Sequence, residues 1–112
     1  EIEEQITSGI KDPRCNICSG ILKPDTISFG QAMPEDKVSE AIMYAHRCDL
    51  CIVMGSSLVV YPAASIPEEA VNSGARLIII NRDETPLDDK SDLLIHDSVG
   101  KVLSRIISEI LK

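Results

Sequence analysis

Two C-x-x-C pairs and two polar turns are the residues of this chain whose types and spacing could do chemistry. Cys15 and Cys18 sit in a polar stretch between Pro13 and Gly20, a setting for a tight turn that presents two soft sulfur donors to a metal. Cys48 and Cys51 repeat the spacing, but Cys51 falls in an apolar run that reads as a strand. Residues three apart on a strand point to opposite faces, so these two sulfurs are expected to diverge and to serve as small core residues. The two pairs are also further apart than the roughly 15–20 residues usual for one tetrahedral zinc site. Gly55-Ser56-Ser57 and Asn81-Arg82-Asp83 each follow an apolar run directly. Glycine permits close backbone approach, hydroxyls and free N–H groups suit phosphate or ribose oxygens, and an amide with a carboxylate suits ribose hydroxyls. Both turns also read as ordinary strand ends.

The elements that must position these turns are legible as alternating apolar patterns. Glu1 to Gly9 suggests a short helix with Ile2 and Ile6 on one side, and Thr26 to Phe29 a short extended run ending at Gly30. From Pro34 a helix is expected, with Glu35 and Asp36 at its positive end, Val38, Ala41, Ile42 and Ala45 on one face, and His46 and Arg47 at its close. Leu50–Met54 then reads as a strand buried on both faces. Ala63 to Asn72 is a second helix stopped by Gly74, Leu77–Ile80 a second buried strand, and Asn81 to Asp92 a polar loop. Leu93–Ile95 is a third strand. A last helix, with Ser98 as its capping side chain, carries a stripe of Val99, Val102, Leu103, Ile106, Ile107 and Ile110.

Helices alternating with short buried strands predict an α/β fold with a partial doubly wound, Rossmann-like parallel sheet. In such sheets ligands lie beyond the carboxyl ends of the strands, where both polar turns fall. A doubly wound sheet usually has five or six strands, so half of one is expected here. With Glu1 rather than methionine first, a processed, truncated or excised chain is expected.

Composition narrows the classes. Of 112 residues 44% are hydrophobic but only Phe29, Tyr44 and Tyr61 are aromatic, so the core must be aliphatic. A net charge of -7 with no basic cluster argues against nucleic-acid binding by this segment. No apolar run approaches the roughly 18 residues of a membrane span, and no secretory pattern opens the chain, so a cytoplasmic origin and reduced thiols are expected.

Three stretches together resemble the sirtuin family of NAD-dependent protein deacylases, from Cys15 to about Leu103: CNICSGILKPDTISFGQAMPEDKV, CDLCIVMGSSLVVYPAASIPEEAVNSGARLIIINRDETP and SDLLIHDSVGKVL. The resemblance implies that Gly55, Ser56 and Ser57 contact NAD ribose and phosphate groups, that Asn81, Arg82 and Asp83 contact the adenosine ribose, and that a backbone group at Val99 meets the adenine. It implies that Ile27, Phe29 and Gly30 hold an acyl-lysine peptide as an added strand opposite Leu58, Val59 and Val60, a mode resting on main-chain hydrogen bonds. It makes Cys15 and Cys18 half of a zinc site. Residues 1–33 would then be a partial zinc module with the peptide loop, and 34–112 the C-terminal half of the NAD-binding domain. Gln31 stands where Glu is common in the family and Ser56 where Thr is common; both keep a polar group.

The family's glycine-rich first turn, its Gln-Asn-x-Asp segment, its catalytic histidine and its first zinc C-x-x-C have no counterpart in residues 1–14. His46 reads as a helix C-terminal residue, and His96 ends a strand with no general-base partner to name. The expectation is a deacylase fragment without turnover of its own, prone to self-association through an uncovered sheet or through two Cys15/Cys18 pairs sharing one zinc. Mono-ADP-ribosyl transfer, a non-catalytic nucleotide-binding α/β domain and a zinc-knuckle interaction module are the alternatives. The last two leave, respectively, the Cys15/Cys18 turn and the buried strands without a use.

Overall fold

The computed structural model describes residues 2–112 and divides into two compact units, one ending at Met33 and one running from Pro34 to Lys112. In the first, helix α1 (Ile2–Thr7) is tied to the cysteine turn by Gln5, whose amide both accepts from Arg14 N and donates to Arg14 O, at 2.8 and 2.7 Å. The antiparallel bridge Arg14↔Ile21 closes that turn into a small hairpin. The run 26–29, expected to be extended, is no strand. It leads into a turn in which Gln31 N donates to Ser28 O, and Gly30 at φ 82° occupies the left-handed region that a side chain resists.

The second unit is α/β. Helix α2 (Glu35–Arg47) starts behind Pro34, which takes the N-cap position, and keeps its acids in the first turn and its bases in the last. Strand β1 (Leu50–Met54), helix α3 (Ser65–Asn72), strand β2 (Arg76–Ile80), a 3-10 turn (Asp88–Lys90), strand β3 (Leu93–Ile95) and helix α4 (Val99–Ile110) follow. Helix α3 begins two residues later than its apolar pattern suggests and stops at Gly74, φ 96°, where Ala75 N reaches back to Ala70 O. The three strands are all parallel in the order β1-β2-β3, with Met54 opposite Ile80 and Ile80 opposite Ile95.

One sheet face is dry. Leu77 and Ile79 are fully buried there, in a cluster with Val53, Leu58 and Leu87 that Cys51 and Val71 flank. Ala45, Ala70 and Ala75 form a second cluster, small enough to let α2 and α3 approach closely. Cys48 and Cys51 both pack against these alanines, so their side chains do not diverge. Cys48 lies in the turn before the strand, where strand alternation does not apply, and its thiol donates to Ala45 O. Burial, then the neighbouring Cys48, raise the Cys51 thiol above its ordinary range.

The opposite face corrects the expectation that β1 is buried on both sides. Leu50, Ile52 and Met54 are 44%, 49% and 47% exposed, as is Leu93 beside them at 49%. The amphipathic stripe of α4 is half-buried at Val99, Val102 and Leu103 and exposed beyond them, at Ile106, Ile107 and Ile110. Stability therefore rests on the dry face. Leu77→Ala, which removes a fully buried side chain, is expected to cost about 2–5 kcal/mol in urea denaturation. Ile52→Ala on the open face is expected to change it by well under half of that.

Candidate functional site

The parallel register brings every strand exit to one edge. The ladder continues one residue past the strands: Gly55 N donates to Ile80 O at 2.9 Å and Asn81 N to Ile95 O at 3.1 Å. Gly55 has φ 65°, and a side-chain carbon placed there would meet Val99 Cγ2 at 3.5 Å. The chain then folds back on itself. Ser56 Oγ accepts from Leu58 N, and Leu58, at φ 55°, turns its side chain into the core. At the next exit Asn81 Nδ2 donates to Asp83 O at 2.9 Å, closing a tight turn that leaves Arg82 and Asp83 exposed.

Together with the start of α4 these turns enclose a cleft of about 370 Å³. Gly55 forms one wall, Asn81, Arg82 and Asp83 a second, and Asp97 to Gly100 a third. That volume lies within the usual range for small-molecule sites, and the position is the one favoured in parallel α/β sheets. Ser98 holds the N-cap position, but its hydroxyl makes no capping bond. Instead the Asp97 carboxylate, one residue earlier, accepts from Ser98 N at 2.7 Å. That bond, then Lys101 and the charge of Arg82, hold the Asp97 carboxyl below its ordinary value. The α4 N-terminus thus meets the cleft with no side-chain cap, its first N–H groups suited to an electron-rich partner.

Of the residues singled out in the sequence, the cleft gathers Gly55, Asn81, Arg82, Asp83 and Val99. Ser56 and Ser57 do not line it; the Ser56 hydroxyl serves its own turn. Asp97, Ser98 and Gly100 line it unforeseen. Their signal was the third strand exit itself, since every parallel strand must deliver its following residues to the same edge. Two larger hollows, of about 590 and 600 Å³, lie along α4 and over the open sheet face. Neither includes Gly55 or the Asn81 turn.

The two histidines are engaged. His46 Nε2 lies 2.7 Å from Glu69 Oε2, linking α2 to α3. His96 lies against Asn81 O and Asp88. Among the expected peptide-contact residues, Ile27 is half-buried, Phe29 is almost fully exposed and Gly30 forms a turn. Leu58 is buried while Val59 and Val60 are exposed, so Leu58 has only its backbone to offer a partner.

In the first unit Cys15 N donates to Gly20 O, Ser19 N to Cys15 O, and Ile17 N points at Cys15 Sγ from 3.5 Å. A side-chain carbon at Gly20 would meet Cys18 Sγ at 3.3 Å, so that position must stay small. Two sulfurs on one backbone turn, one of them facing an N–H, are donors of the kind that a structural zinc takes. Among the described residues no group of three or more His, Cys, Asp or Glu is placed to hold a metal. Nor, among them, is any helix long and apolar enough to cross a membrane.

The Sir2 family model matches residues 1–62. The NAD-dependent protein deacetylase 1 of Bradyrhizobium diazoefficiens is 47% identical over 95 residues, 85% of this chain and 37% of the relative. The NAD-dependent protein deacetylase of Sulfolobus acidocaldarius is 42% identical over 110 residues, 98% of this chain and 42% of the relative. A solved Sir2 complex with p53 peptide and NAD+ superposes with a TM-score of 0.73 at 39% identity, covering 96% of this chain and 45% of that one. Sir2Tm bound to a propionylated peptide gives 0.74, again at 39% identity, with the same coverage. The chain thus spans about two fifths of the curated relatives it matches. With more than half of its length matched by the family model and its fold superposing on solved Sir2 structures, the chain belongs to the Sir2 family.

Proposed function

We propose that this chain forms the adenosine side of the NAD site, and one side of the peptide cleft, of an NAD-dependent protein lysine deacylase. The observation that carries this reading is the cleft between Gly55, the Asn81–Asp83 turn and the start of α4. NAD would supply the ribose carbon to the acyl-lysine amide oxygen, with nicotinamide as leaving group and a water molecule releasing lysine from the adduct to leave acyl-ADP-ribose.

The chain's own residues bind and orient. Gly55 keeps a wall of the cleft free of side chain, so that a ribose or phosphate can approach the backbone. Asp83 offers a carboxylate to ribose hydroxyls, Asn81 shapes the turn that presents it, and Arg82 offsets the negative charge of Asp83 and Asp97. The N–H groups at Val99 and Gly100, at the uncapped start of α4, would be available to the base and its sugar. Main-chain groups of Leu58 to Val60 would pair with an acyl-lysine peptide in strand-addition fashion. Cys15 and Cys18 would supply two of four thiolates to a structural zinc, whose role is to hold a fold rather than to react.

No residue here is assigned as the base. His46 and His96 are both committed to protein partners, so the chain by itself is expected to bind without turning over. Calorimetry should detect ADP-ribose binding to the purified chain. Incubation with NAD and an acetyl-lysine peptide should release no nicotinamide. Robust release would overturn the division of labour, and absence of ADP-ribose binding would overturn the nucleotide reading itself.

A further inference from the structure

His96 stands at the first position after β3 and touches both ends of the loop that carries Arg82 and Asp83. Its Nδ1 lies 3.1 Å from Asn81 O, and its Nε2 lies 3.3 Å from Asp88 Oδ2. Asn81 is the first residue after β2, and Asp88 opens the 3-10 turn. Within the segment 82–87 Asn81 Nδ2 ties the near end through Asp83 O, and the denser anchoring is at the far end. There Leu87 is buried in the core, Thr85 is buried, Thr85 Oγ1 donates to Asp88 Oδ1, and Leu87 N donates to Thr85 Oγ1. Arg82, Asp83 and Glu84 are exposed.

We propose that His96 is a positioning residue of the nucleotide cleft: its ring closes the 82–87 loop by bridging Asn81 O to Asp88, and so fixes Arg82 and Asp83 in the cleft wall. The inference rests on the nucleotide reading of that cleft. Three observations carry it. A carbonyl and a carboxylate oxygen can only accept, so the Asn81 contact needs a proton on Nδ1 and the Asp88 contact one on Nε2, and the two together fix the ring's orientation. Asn81 is thereby pinned twice to the end of β3, through its N–H to Ile95 O and through its carbonyl to His96. Finally, one rigid ring links the two anchors of the loop directly to each other, and a segment held between linked anchors loses less entropy when a ligand orders Arg82 and Asp83. The Asp88 carboxyl is held below its ordinary value, chiefly by Thr85 and also by His96, in keeping with a carboxylate that accepts from both.

The chemistry distinguishes two substitutions. Asparagine places an amide nitrogen about where Nδ1 stands and keeps the bond to Asn81 O, the end of the bridge next to Arg82 and Asp83, whereas glutamine reaches toward the Nε2 position and loses that bond. His96→Ala and His96→Gln should weaken ADP-ribose binding by calorimetry about tenfold, the scale of one hydrogen bond, while His96→Asn should stay within about twofold of the wild type. A residue that merely adds stability would lower affinity in step with melting temperature for all three, without rescue by asparagine. Equal affinity for the wild type and His96→Ala would overturn the proposal. Two readouts need no ligand. The ¹⁵N shifts of the His96 ring should show Nδ1 protonated, and a ring protonated at Nε2 alone would refute it. Backbone order parameters at Arg82 and Asp83 should fall in His96→Ala and recover in His96→Asn; unchanged values would refute it too. Should the wild-type chain not bind ADP-ribose, the nucleotide reading fails, and these two measurements still decide whether His96 holds the loop.

Discussion

Replacing Gly55 by valine is expected to weaken ADP-ribose binding at least about a hundredfold, close to 2.7 kcal/mol. Two costs combine. At φ 65° a non-glycine residue is strained by about 1–3 kcal/mol, more so when β-branched. The valine Cβ would already stand 3.5 Å from Val99 Cγ2, so its two methyl groups must project past that contact into the cleft. Gly55→Ala separates these costs. Its single carbon meets Val99 at ordinary van der Waals distance, leaving the backbone strain and little filling of the cleft. Alanine should therefore lower thermal stability with a modest loss of affinity, whereas valine should abolish binding while the chain stays folded. If Gly55→Val bound ADP-ribose as the wild type does, the ligand would not lie against Gly55, and the cleft assignment would fall.

How far such a site can be read from sequence is shown by its three walls. Met54-Gly55 and Ile80-Asn81 were legible because continuous apolar runs of strand length end there in glycine and asparagine. The alternation of helix and strand then required parallel pairing, and hence a shared edge. The third wall was harder. A capping rule points to the Ser98 hydroxyl, but Asp97 is charged and one residue earlier, and its carboxylate takes the Ser98 N–H. The inward turn of Leu58 has no sequence signal, since a leucine at φ 55° is placed by the core it fills rather than by its own preference. Nor does His96 announce itself. Its partner Asn81 is 15 residues away, and only the register of β2 against β3 brings them together. The extent of burial was least legible. An apolar strand states what its faces would prefer to touch, not whether anything covers them. The pattern of Leu50, Ile52 and Met54 is the same whether that face is dry or open.

That open face leads to the second large effect, an association state above monomer at micromolar concentration. Leu50, Ile52 and Met54 on β1 and Leu93 on β3 lie on one side of the sheet, each close to half exposed. β1 and β3 are the outer strands of the order β1-β2-β3. Exposed apolar surface next to unpaired strand edges favours pairing with another chain. Burying four such side chains across a two-fold axis doubles the gain, at roughly 25 cal/mol per Å² of apolar surface removed from water. Ile52→Lys with Met54→Lys places two charges where that contact would form, and sedimentation should then report monomer. The rival route is a zinc ion shared by two Cys15/Cys18 turns, which draws on thiolates and not on the sheet. Chelator should dissociate an assembly of that kind and leave a sheet-mediated one intact, whereas the double lysine variant should do the reverse. A wild-type chain that sediments as a monomer, with and without added zinc, would sink both routes. It would also mean that the four side chains are tolerated in water as they stand. We expect the sheet route to dominate, because it needs no added ion and engages side chains already fixed by the ladder.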